Sequence, residues 1–341
     1  MFKTIPEHLL PMRVKYSRRL GRAGVLLCLR GNTMTSGLPL PPEKPLESDC
    51  CGQGCVPCVK EIYEENLIIW QNECEKIHLK PQEVVNNLPS EVNEPLLDLL
   101  EYRLFTIKHI EDEPDGCKRY QFQLPTGRSL GLKTGQHIII RAHIDGSTVT
   151  RQYTPVSDVE QKSSFELLIK VYNRGKMSQF VRLWTIGTSV DIRGPCGSYN
   201  YIPNQYRVLY MFAIGTGIAP MSQVINTILN NEEDETVIRL HYGCRCYGDI
   251  LLKSRIDDWS RYWNFTCTYY LSQEDTYTSN KAYRYGDKIV KNKIDELSVR
   301  SAMINFTSDS FVLICGTHAF TADMLDFLSA INILKGNIHK F

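Results

Sequence analysis

The hydrophobic period of this 341-residue chain changes near Gln205, and that change points to two unlike folded parts. Upstream, Phe165, Leu167, Ile169 and Val171 alternate with Glu166, Leu168, Lys170 and Tyr172, a period of two that turns one face to a core. Gly127, Gly135, Gly146, Gly187 and Gly194 separate such stretches at strand-plus-turn intervals, which favours an antiparallel barrel, closed or nearly so, over a parallel sheet. Downstream, the apolar run VLYMFAI at 208–214 leads to Met221, Val224, Ile225 and Ile228 at helical spacing. Strand signals recur at 237–242, 265–271 and 311–315, and the last feeds a helical stripe of Phe320, Met324, Phe327, Leu328 and Ile331. Repeated strand, loop and helix predict a doubly wound α/β domain. The expected fold class is therefore mixed β and α/β, with a barrel over 101–204 and an α/β domain over 205–341.

The region before the barrel reads differently. Residues 1–45 form a basic tail that ends in a proline-rich linker, and residues 81–100 read as a second linker. Between them, residues 46–80 hold a cysteine-rich module whose Ile62, Leu67 and Trp70 predict one short amphipathic helix. The tail carries Lys3, Arg13, Lys15, Arg18, Arg19, Arg22 and Arg30 against Glu7. That bias is shared by mitochondrial transit peptides and by disordered basic tails, and Pro6 and Pro11 interrupt the helix a transit peptide needs. An intracellular location, mitochondrial or cytosolic, is expected.

Balanced charge narrows the partners. With 39 basic and 38 acidic side chains the formal net charge is +1, so no global field draws in nucleic acid. No stretch reaches about 18 apolar residues, so no transmembrane helix is expected. Twelve cysteines suggest a disulfide framework at first sight, yet a chain of this size buries a core without staples and most of them sit singly in apolar segments. Cys117, Cys196 and Cys267 read as small core or loop residues. Cys50, Cys51, Cys55 and Cys58, spaced CCxxxCxxC, are dense enough for four thiolates around one ion, but adjacent cysteines reach a tetrahedron only with strain. Structural or redox thiols rank ahead of a metal site there, and no metal ligand is assigned.

Three motifs carry the chemistry. In RQYTPVS at 151–157, Arg151 and Tyr153 share one face of a strand and present a guanidinium beside a phenol, a pairing that suits a nucleotide's pyrophosphate and a flat ring. In GKMSQF at 175–180, Gly175 opens a helix with Ser178 in its first turn, and Met177, Phe180, Val181 and Trp184 follow at helical spacing. GTGIAPM at 215–221 follows a strand and places Pro220 in the first turn of a helix, where its missing N–H costs nothing. It lacks the third glycine of the dinucleotide fingerprint.

In this order the motifs resemble the flavin and nicotinamide sites of the ferredoxin-reductase-like flavoenzymes, and the chain over 102–341 is similar to the cytochrome b5 reductase family. GQHI at 135–138, IRGPCG at 192–197, Cys315-Gly316 and the terminal Phe341 extend the similarity. The resemblance implies an antiparallel FAD-binding barrel followed by an NAD-binding domain, with FAD and NADH as cofactors. It implies that Arg151, Gln152, Tyr153, Thr154, Ser157, Lys170, Tyr172 and Gly175 bind the flavin nucleotide, with Lys176, Met177, Ser178 and Gln179 on its diphosphate. It places His137 and Thr154 on a hydrogen-bond path to flavin N5, Thr216 near the flavin, Gly215, Gly217 and Gly316 on the nicotinamide side with Phe341 also in the cofactor site, and Cys315 beside the nicotinamide. The cysteine segment resembles the short N-terminal oxidoreductase-like module of otherwise unrelated proteins.

The implied activity is hydride transfer from NADH to flavin and single-electron delivery to a haem protein, cytochrome b5 or a similar acceptor. An iron–sulfur protein or a quinone is an alternative acceptor. A non-catalytic flavin-fold interaction protein is the reading from another class, because the chain has CGTH at 315–318 where the family usually has CGPP. Ile214-Gly215, where the family usually has two glycines, bears on nicotinamide binding. Ser272 stands where an acidic residue commonly holds the adenosine ribose, and Arg245 where some relatives bind a 2′-phosphate, so NADPH is an expected alternative donor.

Overall fold

The computed structural model describes residues 38–46, 58–79, 94–274 and 283–341. The basic N-terminus and Cys50, Cys51 and Cys55 lie outside the described residues. Helix α1 (Val59–Leu79) precedes six strands, β1 (Arg103–Glu113), β2 (Cys117–Gln123), β3 (His137–Ile144), β4 (Ser147–Tyr153), β5 (Ser164–Lys170) and β6 (Ser189–Cys196), with helix α2 (Lys176–Val181) between the last two. These strands form one antiparallel sheet in the order β4-β3-β6-β1-β2-β5. The chain leaving β4 closes it: Pro155 bridges Leu167 on β5, and Val156 N donates to Glu166 O at 2.9 Å. Apolar positions on the inner face, among them Phe105, Phe122, Ile140, Leu167 and Ile192, are buried in one cluster. The alternation on β5 is real, but Leu168 on its other face is also buried, against the second domain.

That second domain contains β7 (Val208–Ile214), α3 (Ile218–Leu229), β8 (Val237–Cys244), α4 (Lys253–Trp259), β9 (Phe265–Leu271), β10 (Lys288–Val290), α5 (Glu296–Ala302), β11 (Ser310–Cys315), α6 (His318–Ala330) and β12 (Ile338–Lys340). Its sheet runs β10-β9-β8-β7-β11-β12, and every pairing is parallel. Met221, Val224, Ile225 and Ile228 of α3 are fully buried, each worth roughly 1.5–3 kcal/mol of burial. Because the chain goes outward from β7 to β8 and later returns to β11 on the other side, the strand order reverses between β7 and β11. In open α/β sheets ligands bind at the carboxyl ends of strands beside such a reversal.

Helix α1 is longer than the short helix the sequence predicts, at 21 residues. Its amphipathic signal is weak because polar contacts hold it. Arg193, fully buried on β6, donates to Glu65 Oε2 at 2.8 Å, to Tyr102 Oη at 3.2 Å and to Leu99 O at 3.0 Å. Arg141 on β3 pairs with Glu73 at 2.8 Å and Asp191 at 3.1 Å, and its guanidinium lies 4.0 Å from the Tyr102 ring centre. Tyr102 in turn donates to Asn66 Oδ1 at 2.8 Å. Residues 38–46 run beside the start of β4, where Thr148 N donates to Pro41 O and Glu43 N to Thr148 O. Trp70 Nε1 ties this segment to α1 through Pro39 O at 2.8 Å.

Candidate functional site

Crossing from the edge of β4 to β5, the RQYTPVS segment opens a cleft of about 590 Å3. Arg151, Gln152, Tyr153 and Thr154 line it from this crossing, and Lys170 and Tyr172 from the end of β5. Met177 and Ser178 of α2, and His137 at the start of β3, add the barrel's remaining wall. Thr216, Cys315 and Phe341 reach it from the second domain. Tyr199, His339 and Phe341 form an aromatic cluster on this wall, with ring centres 4.7 to 5.3 Å apart. Gly135 lies behind Tyr199, and a Cβ there would sit 2.3 Å from that ring.

The cleft presents unmatched polar groups. Arg151 forms no ion pair among the described residues, and its Nη1 donates to Thr150 O at 2.7 Å. His137 Nε2 is buried with no hydrogen-bond partner among the described residues. Burial, helped by the Arg193 charge, pulls His137 down to about 4, so its ring is neutral at pH 7 and has one nitrogen free for a ligand. Burial pushes the Tyr153 phenol up to about 12 and the Cys315 thiol up to about 12, so both stay protonated. A free cation, an unsatisfied neutral imidazole and a flat, partly aromatic slot fit a flavin nucleotide.

A second cleft, of about 650 Å3, opens at the reversal between β7 and β11. Gly215, Thr216 and Gly217 form a single 3-10 turn after β7, and Cys315 and Gly316 end β11 opposite them. The two turns touch: a Cβ on Gly217 would lie 2.3 Å from the Cys315 carbonyl oxygen. Lys170, Tyr172, Thr216 and Cys315 line both clefts, so the two spaces meet at these residues. At the far end stand Arg245, Ser272 and Lys293. Asp115 spans the junction, holding Lys170 of the barrel and Arg245 of the second domain with its two carboxylate oxygens.

Four of the residues expected in the site stand apart from these clefts. Ser157 is buried, and its hydroxyl accepts from Glu166 N at 3.1 Å, which fixes the crossing strand. Gly175, with φ of 114°, turns the chain into α2. Gln179 donates to Asn173 O at 3.0 Å and braces the same turn. Lys176 faces a different cavity, described below, and pairs with Glu43. Sequence reasoning missed Asp115, Tyr199 and His339. The Asp-Gly pair at 115–116 marked a turn between strands, but nothing local announced its two distant cations.

Three family matches partition the chain. Residues 35–78 match the family described as oxidoreductase-like protein, N-terminal, residues 105–201 the oxidoreductase FAD-binding domain, and residues 211–326 the oxidoreductase NAD-binding domain. The chain is 34% identical over 314 residues to the human NADH-cytochrome b5 reductase-like protein, covering 91% of this chain and 97% of that one. It is 36% identical over 250 residues to NADH-cytochrome b5 reductase 1 of Dictyostelium discoideum, covering 73% and 84%. The cytochrome b5 reductase domain of Ulva prolifera nitrate reductase shares the fold, with a TM-score of 0.64 at 24% identity, over 73% of this chain and all of that domain. With its barrel, its parallel sheet and the two joined clefts between them, this chain belongs to the NADH-cytochrome b5 reductase-like family of FAD- and NAD-binding oxidoreductases.

Proposed function

We propose that this protein takes hydride from NADH onto FAD and delivers single electrons to cytochrome b5 or a similar acidic carrier. The observation that carries the reading is the meeting of two clefts at Lys170, Tyr172, Thr216 and Cys315. A flavin in one and a nicotinamide in the other would meet where these side chains line both spaces. Bound FAD supplies the conversion between two-electron and one-electron transfer, which no side chain supplies.

The chain's own work is positioning. Arg151 offers a planar fork to the flavin diphosphate. His137 gives one hydrogen bond from a neutral ring. The protonated Cys315 thiol provides a small, uncharged surface where the nicotinamide would lie, and the Tyr199–His339–Phe341 cluster narrows the space open to water. Arg174 and Arg182 are exposed on the segment around the cleft, a local positive rim suited to an acidic carrier. Arg245 is held by Asp115 and Asp249, which leaves Lys293 beside Ser272 to meet a 2′-phosphate, so NADPH is expected to serve as a second and poorer donor.

Anaerobic titration with NADH and with NADPH, followed by the visible flavin absorbance, tests the donor half. Bleaching by NADH and subsequent reduction of added cytochrome b5 are the expected results. A flavin that neither nucleotide bleaches would refute the reductase reading.

A further inference from the structure

A third cavity, of about 590 Å3, lies between the N-terminal segment and the barrel. Residues 42–46 and α1 form one side of it, and β3 and β4 the other. Val59, Ile62, Tyr63, Ile139 and Val149 give it an apolar side and Asn66 and Thr150 a polar one, the mixture that accepts a flat heterocycle edged with polar atoms. Arg151 and Gln152 line both this cavity and the flavin cleft, so the edge of β4 runs from one space into the other. Lys176 stands beside the same passage. The Gln152 side chain is exposed, and no hydrogen bond engages its amide among the described residues.

We propose that this cavity holds the adenosine half of the FAD, so that the N-terminal oxidoreductase-like segment is part of the flavin site. The inference rests on the flavin reading above. A flavin dinucleotide has two ring systems joined by a diphosphate. The order along the edge of β4 is an aromatic-lined cleft, then two cations, then a slot with one apolar side, which matches ring, diphosphate and ring. Glu43 holds Lys176 at the passage until a phosphate replaces it, one anion exchanging for another. Val59, Ile62 and Tyr63 lie on α1, whose register is fixed by the Glu65–Arg193 and Glu73–Arg141 pairs, so the slot is preformed.

Amide hydrogen exchange on the full-length protein, stripped of flavin and then given FAD or FMN, separates the possibilities. FMN lacks the adenosine. FAD is expected to slow exchange in residues 38–46 and 58–70 as well as around the flavin cleft, and FMN around the flavin cleft alone. Tyr63→Ala, which opens the slot, and Val59→Trp, which fills it, are each expected to weaken FAD binding about tenfold and leave FMN binding unchanged. Retained FMN binding also shows that the variant barrel is folded, and exchange on the unaltered chain decides the matter if a variant misfolds. Protection by FAD confined to the barrel, with FAD no more sensitive to the variants than FMN, would overturn the proposal while leaving the flavin reading intact. No binding of either flavin would overturn both.

Discussion

Acid should destabilise this protein through the histidines that burial keeps neutral, and two of these, His143 and His241, lie away from the clefts and from any bound flavin. His143, on β3, is largely enclosed with 11% of its side chain exposed, and that burial and then the Arg141 charge pull its pKa from the ordinary 6.5 down to about 4 against the opposing Asp191 carboxylate. His241, on β8, stacks on Phe212 with ring centres 4.9 Å apart and shares a hydrogen bond with Tyr270 Oη at 3.2 Å. Burial, then the charges of Arg239 and Lys288, lowers it to about 4 as well. The unfolded chain therefore binds more protons than the folded one between about pH 6.5 and about pH 4. The contribution of each neutral ring is complete above the unfolded value and is lost as pH falls toward the folded one. Moving from 6.5 to about 4 costs about 3 kcal/mol for each ring, and two rings together consume much of an ordinary domain's stability of about 5–15 kcal/mol. In mid-window the slope is about 1.4 kcal/mol per pH unit for each ring. Urea unfolding followed by tryptophan fluorescence, on protein saturated with FAD, measures it between about pH 7 and about pH 5, above the range where most carboxylates titrate. His241→Phe should remove about 1.4 kcal/mol per pH unit from the slope. Equal slopes in the parent and the variant, or stability that does not change across the window, would refute the reasoning.

Three other perturbations probe separate parts of the molecule. Arg151→Ala removes a cation of the flavin cleft that forms no ion pair among the described residues and should cost about 1.5–3 kcal/mol of FAD affinity, read as faster release of fluorescent flavin. Gly217→Ala drives a Cβ against the Cys315 carbonyl, so the nucleotide turn must shift; a rise in KM for NADH with flavin content unchanged is expected, along with about 1–3 kcal/mol of destabilisation. Glu65→Ala leaves the buried Arg193 without its carboxylate and should lower stability by about 3 kcal/mol in thermal unfolding, whereas Glu65→Gln, which keeps an acceptor, should recover part of the loss.

Local pattern carried much of the fold into the sequence. The α3 stripe is buried residue for residue, and Phe320, Met324 and Leu328 of α6 face the core as their spacing predicts. The cleft was legible where its residues adjoin in the chain, as from Arg151 to Thr154. What stayed hidden depends on distance and polarity. Asp115 meets Lys170 across 55 positions and Arg245 across 130, and an exposed-looking turn aspartate has no periodic signal. Helix α1 reads as short because apolar periodicity registers Ile62, Leu67 and Trp70 but not a helix face held by Glu65, Asn66 and Glu73. Arg141 and Arg193 look like surface residues in any composition-based reading, and both are buried. Leu168 fell on the side of β5 expected to face solvent, because a single domain's alternation does not include the domain that docks on it.

The two guanidiniums beneath α1 bear on how such a chain is inherited and trimmed. A fragment that begins at the first barrel strand would keep Arg141, its partner Asp191 and Arg193, but lose the carboxylates of Glu73 and Glu65 together with Tyr102, whose ring and hydroxyl lie against the two guanidiniums. Uncovered charge of that kind must be rehydrated, and the barrel strands around it rearranged. The leading segment thus cannot be dropped or exchanged as a separable module without matching changes at positions 141 and 193. The shortest fragment of this chain that keeps both guanidiniums covered by their carboxylates extends back at least to α1.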